Sequence, residues 1–149
     1  MVTFEYKKPK EYYKKLVKAF GAPTGTGQSF ASWENIRGYE CIYIMDENIK
    51  HTYPKLHYDY VYSSKKMDKK ISDEKKCQLV KVSGSIIIDG LKNEVTARCG
   101  GLTANDVTLN FVDDVIHNKT KATKEEYAKR INNSIIPNKK KYYAHNKIE

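Results

Sequence analysis

Residues 39–63 read YECIYIMDENIKHTYPKLHYDYVYS. Tyr39, Cys41, Tyr43 and Met45 alternate with Glu40, Ile42 and Ile44. That is the two-residue period of a strand whose successive side chains point to opposite faces. Upstream, Phe30 to Ile36 reads as a partner strand and Arg37-Gly38 as the turn, so residues 30–46 are predicted as a β-hairpin. Downstream, Pro54 disfavours regular structure, and 46–57 is predicted as a connection. From 57 to 63 the alternation resumes. His57, Asp59 and Val61 take one face, and Tyr58, Tyr60 and Tyr62 take the other.

Further out, residues 8–20 are predicted as a helix, with Pro9 in the first turn and Tyr12, Leu16 and Phe20 on one face. Gly21 to Ser29 is a loop by composition. It looks like the phosphate-binding loop of helicase-type NTPases. Gln28, however, stands where the phosphate-binding lysine belongs, and a helix precedes the loop where a strand should, so nucleotide binding is rejected. The run 64–76 carries six lysines and three acids and reads as a loop. Residues 77–99 are predicted as β throughout. Val80, Val82, Ile86 and Ile88 form one face, Gly84 a bulge or bend, Asp89-Gly90 a turn, and Val95 with Ala97 a partner strand. Val107, Leu109 and Phe111 suggest another strand over 105–112. Thr123 with Glu126 makes a capping box for a helix over 123–135, stopped by Pro137.

These segments predict one α+β domain over residues 1–137, followed by a basic tail, 138–149. The expected architecture is an antiparallel sheet or small β-sandwich of about five to seven strands with an N-terminal and a C-terminal helix. A chain of 149 residues can bury a sufficient core without disulfides. Cys41, Cys77 and Cys99 show no paired spacing and read as reduced thiols. The N-terminal MVTFEYKKPK has no apolar region, so no secretion signal is expected, and no apolar run is long enough to span a membrane. An intracellular protein that is not secreted is expected.

Lysine and arginine number 27 against 18 acids, a net +9 that favours polyanionic neighbours. Lys65, Lys66, Lys69 and Lys70 are the most obvious phosphate-facing patch, with Lys139, Lys140 and Lys141 in the tail. Tyr58, Tyr60 and Tyr62 could stack bases if their face is open, or form the wall of a core if it is not.

Asp46, Glu47, His51, His57 and Asp59 gather acids and imidazoles in one short stretch. Imidazole with carboxylate suits a divalent transition metal, the one cofactor the sequence suggests. His57 and Asp59 share a strand face, His51 would come from the connection, and Asp46 from the neighbouring strand end. Two histidines and one carboxylate leave open positions for water, which permits hydrolysis or oxygen chemistry. The plainer alternative has Asp46 and Glu47 capping a turn and the histidines bonded to backbone or tyrosine hydroxyls. No serine or cysteine nucleophile is implied by spacing, and no catalytic residue is assigned.

An Asp-Glu pair, two histidines flanking a proline and then Asp-aromatic-x-Tyr run through Asp46, Glu47, His51, Pro54, His57, Asp59, Tyr60 and Tyr62. A Ser-Gly-Ser-Ile strand, Ser83 to Ile86, and an Ala-Arg-Cys strand, Ala97 to Cys99, follow. Over residues 20–115 this pattern resembles small uncharacterised proteins of large nucleocytoplasmic DNA viruses of the mimivirus kind. The resemblance implies a viral origin and no mechanism. With it, the leading expectation is a virus-encoded, non-enzymatic virion component or interaction protein, its basic surface docking protein partners or nucleic acid. The alternatives are a metal-dependent hydrolase or nuclease at Asp46, His51, His57 and Asp59, with Lys65 and Lys66 meeting phosphate, and a single-stranded nucleic-acid binder using the tyrosine row.

Overall fold

The computed structural model describes residues 1–133 of the chain. Helix α1, Lys7–Phe20, forms where the sequence places it, and Tyr12 and Leu16 are buried on its apolar side. Its N-terminus is fastened by a distant acid: the two oxygens of Asp46 accept the amides of Glu5 and Tyr6 at 2.8 and 3.0 Å. A carboxylate there satisfies amides that a helix start leaves without partners.

Six strands follow: β1 (Gly25–Gly27), β2 (Phe30–Ile36), β3 (Tyr39–His51), β4 (His57–Lys66), β5 (Ile86–Asp89) and β6 (Glu94–Cys99). They form one open antiparallel sheet in the order β1-β2-β3-β4-β6-β5, not a sandwich. The architecture is α+β, with helices at both ends of the chain. The hairpin β2–β3 has the expected register, with Trp33 opposite Ile42 and Ala31 opposite Ile44. Trp33 is a core anchor: its indole donates to the Gly21 carbonyl at 3.0 Å and packs on Tyr13 and Phe20 of α1.

β3 runs further than the sequence predicts. It pairs Ile44 with Val61, is interrupted, then pairs Ile49 with Asp59 and His51 with His57. Between Ile44 and Ile49 it uses five residues where β4 uses two, so three extra residues bulge out. Beyond the bulge the facing of β3 is set by its pairing with β4 and does not continue the alternation counted from Ile44, because directly paired residues share a face. Only the short hairpin end, residues 52–56, is a true connection.

Two segments expected as strands are helices. Residues 73–82 form α2, Asp73–Val82, capped by Ser72, whose hydroxyl accepts the Lys75 amide at 3.2 Å. Leu79 and Val82, three apart, are buried, whereas Val80 is 51% exposed. A strand would have turned Val80 and Val82 the same way; a helix separates them. Residues 102–116 form α3, Leu102–Ile116, followed by α4, Lys124–Asn132. Leu109, Phe111 and Val112 are all fully enclosed, and with Asn105, Asp106, Thr108 and Asp113 also buried, α3 is covered around most of its circumference. Such a helix carries no amphipathic stripe for the eye to find. α3 lies against β4 and β6, and the Asn105 amide donates to the Val61 carbonyl and the Ser63 hydroxyl, both at 3.1 Å. Deleting one of its enclosed side chains, as in Leu109→Ala, should cost about 2–5 kcal/mol.

The Thr123 capping contact is present, and Tyr127 and Ile131 are buried as the stripe predicts. Ile135, Pro137 and the tail with Lys139, Lys140 and Lys141 lie outside the described residues. Among the described residues no helix is long and apolar enough to cross a membrane.

Candidate metal centre

His57 and Asp59 lie two apart on β4, and His51 sits directly across from His57 on β3. Strand alternation therefore sends all three side chains to one face. The imidazole rings stand 4.7 Å apart, centre to centre. His51 Nδ1 is 3.2 Å from Asp59 Oδ2, and His57 Nε2 is 3.0 Å from Asp59 Oδ1. One nitrogen of each ring and a carboxylate oxygen all fall within 4.8 Å of one another.

Asp59 is 1% exposed. Neither of its oxygens has a donor aligned for a hydrogen bond, and His57 Nε2 is in the same condition. A buried carboxylate ordinarily collects aligned donors, because leaving it without them is costly. The short separations are those of groups that converge on a common point. Two ligands each about 2.1 Å from an ion and at right angles are about 3.0 Å apart. The second coordination layer also fits. His57 Nδ1–H donates to the Lys55 carbonyl at 2.7 Å, which fixes the tautomer that presents Nε2.

At 3.0 Å the carboxylate and the ring interact electrostatically even without an aligned hydrogen bond. The Asp59 carboxylate, and after it the Cys99 thiol, push the His57 pKa up to about 10 against the opposing effect of burial. An incoming cation must displace the imidazole proton.

Three further groups border the site. Ser85 Oγ is 3.4 Å from His51 Nδ1. Arg98 Nε is 3.9 Å from Asp59 Oδ2 and donates to the Gly84 carbonyl at 3.1 Å. Cys99 ends β6 on the face of Val61, its partner on β4. The sequence reading assigned none of these a role at the site. The available signal was Arg98, a cation between Ala97 and Cys99 in a short strand.

The other expected site residues are dispersed. Asp46 does not join the cluster, because both its oxygens hold the start of α1. Glu47 accepts the Tyr62 hydroxyl at 2.7 Å. Asp46 thus meets backbone amides at a helix start and Glu47 a tyrosine hydroxyl, neither of them capping a turn, while His57 does bond a backbone carbonyl, that of Lys55, as the plainer alternative expects. Lys65 donates to the Gly38 carbonyl at 2.7 Å, and Lys66 lies at the opposite end of β4 from His57. Nine residues of strand put the two ends about 30 Å apart, so neither lysine can serve a phosphate held at the histidines. Lys69 and Lys70 are exposed just beyond Lys66.

The tyrosine row is not a free stacking surface. Tyr60 is 7% exposed, with its ring edge toward Tyr12, and Tyr62 is 4% exposed, stacked on Tyr43 at 4.5 Å. Half-buried Tyr58 lies under the Lys8 ammonium. Tyr60 and Tyr62 are thus enclosed, and of the three rings Tyr58 alone keeps part of its surface open. Comparison with protein-family models, curated proteins and solved structures found no match.

Proposed function

We propose that this protein is a metal-dependent hydrolase, with one divalent transition-metal ion held by His51, His57 and Asp59. The observation that carries this reading is the Asp59 carboxylate, enclosed by protein, lacking an aligned donor and flanked by two imidazole nitrogens at 3.0 and 3.2 Å. Two imidazoles and a carboxylate bind manganese, iron or zinc and leave positions open for water and substrate. When bound, such an ion lowers the pKa of water and polarises the bond under attack. The chain's own residues fix the ligand directions. The cross-strand pair sets the two rings, the Lys55 carbonyl sets one tautomer, and Ser85 stands beside His51. The test is metal content by mass spectrometry on protein purified without chelator, followed by hydrolysis of chromogenic phosphate and carboxylate esters. About one ion per chain is expected, absent in His51→Ala/His57→Ala, with hydrolysis following the ion. An ion-free wild type, or a loaded protein inert toward both ester classes, would sink the reading.

A second reading, a non-enzymatic virion or interaction component that binds nucleic acid, is favoured by α1. Lys7, Lys8, Lys10, Lys14, Lys15 and Lys18 are all exposed there, against the single acid Glu11. Helix α1 thus offers a denser basic surface than the lysines after β4. Binding to DNA should weaken steeply with salt, the logarithmic slope falling by about 0.9 for each lysine–phosphate contact removed by substitution. A salt-independent interaction would exclude a lysine-driven contact.

A further inference from the structure

We propose that Arg98 is the oxyanion-recognising residue of this site, and that its ligand is a small oxyanion shared between the ion and the guanidinium. The inference rests on the metal-binding reading above. Three observations converge on it.

The first is position. Arg98 Nε stands 3.9 Å from Asp59 Oδ2, the oxygen that also faces His51. The second is anchoring. Nε donates to the Gly84 carbonyl at 3.1 Å, which fixes the guanidinium plane, while the side chain stays 30% exposed. The guanidinium also hydrogen-bonds the Tyr62 hydroxyl, and the part of it left exposed matches an oxygen face of a phosphate or carboxylate.

The third is charge. A divalent ion and a guanidinium would face one buried carboxylate. Glu47 lies behind Tyr62, whose hydroxyl it accepts at 2.7 Å, and it offsets only part of the excess. An exogenous anion at an open position of the ion completes the balance. The lysines of 65–70, remote from the histidines, cannot supply this contact, so the arginine next to Cys99 takes the role they were expected to fill.

The experiment uses the full chain loaded with Mn²⁺, with metal content measured first in every variant. Inorganic phosphate and acetate are then titrated calorimetrically into wild type, Arg98→Gln, Arg98→Lys and the remote control Lys66→Gln. We expect unchanged metal content throughout and at least one of the two anions bound by wild type and Lys66→Gln. That anion should bind about tenfold more weakly to Arg98→Gln, the scale of one lost charge-assisted contact, with Arg98→Lys between them. Phosphate binding more tightly than acetate assigns phosphate esters, and the reverse order assigns carboxylates. Metal bound at full occupancy with equal anion affinity in wild type and Arg98→Gln overturns the inference and leaves the metal reading standing. No metal in wild type overturns both. If Arg98→Gln fails to fold, Arg98→Lys decides: affinity equal to wild type for both anions counts against a guanidinium contact.

Discussion

Among the described residues, two histidine–carboxylate clusters of similar composition occur, and they are built differently. At His51, His57 and Asp59 the carboxylate is enclosed and its oxygens have no aligned donor. At His117, Asp68 and Asp113 the ring Nδ1 donates to the Asp113 carbonyl at 2.8 Å, and Nε2 lies 3.2 Å from Asp68. Asp68 is 70% exposed and can hydrate freely. Beside this second cluster the Lys75 ammonium donates to the carbonyls of Val115 and Ile116, closing the end of α3. The second cluster therefore finishes a helix, whereas the first places an enclosed carboxylate, its oxygens without an aligned donor, among two imidazoles and a guanidinium. Residue types alone do not separate them, nor does burial, since Asp113 is also enclosed; hydrogen-bond alignment at the buried carboxylate does.

The largest test of this contrast is truncation of each acid. Asp59→Ala removes an enclosed charge from between cationic partners and should cost about 3 kcal/mol of unfolding free energy. Asp68→Ala should stay within about 0.5 kcal/mol. Equal losses in urea denaturation would break the distinction. Next comes linkage to metal. At a hundredfold excess over its dissociation constant, Mn²⁺ should add about 2.7 kcal/mol to wild type and to His117→Ala. It should add nothing to His51→Ala/His57→Ala; stabilisation that survived there would move the ion elsewhere. Lys75→Ala sharpens the other side. Losing a cation at a helix C-terminus should cost about 1 kcal/mol and leave metal content unchanged.

The smallest effect is in the surround of the first cluster. Burial, and after it Glu47, raise the Tyr62 pKa to about 12 from an ordinary value of 10.0. The folded state then holds the phenol proton more tightly than the unfolded chain. Its contribution is fully present below pH 10 and is lost as pH rises toward 12. The fall in urea midpoint between these values should be shallower in Tyr62→Phe. Parallel curves for the two proteins would show that this proton is not linked to folding.

Much of this fold is legible in the sequence. Alternation locates β2, β3 and β4, because one side of each packs on apolar neighbours. The Thr123–Glu126 cap and the tyrosine–isoleucine stripe locate α4. α2 is obscured by Val80, Val82, Ile86 and Ile88, whose even spacing imitates one strand face across a helix and the strand after it. α3 is obscured because Val107, Leu109 and Phe111 alternate by accident among neighbours equally enclosed.

For the site, alternation along β4 correctly joins His57 to Asp59. It cannot foresee the interruption in β3, which carries Asp46 toward α1 and seats His51 across the ladder. Nor does it foresee that Tyr60 meets Tyr12, or that Arg98 meets Asp59. Those contacts join β4 to elements 48 and 39 residues away, and they depend on the sheet order and on where α1 lies.

The three-residue excess in β3 has a consequence for insertions and deletions. Removing or adding a single residue between Met45 and Asn48 would rotate everything beyond it through the sheet and turn His51 away from Asp59. Changes of two residues would preserve the phase, and changes within 52–56, past the last pair, would leave it untouched. Length variation is therefore tolerable at the tip of this hairpin and restricted by parity at its middle.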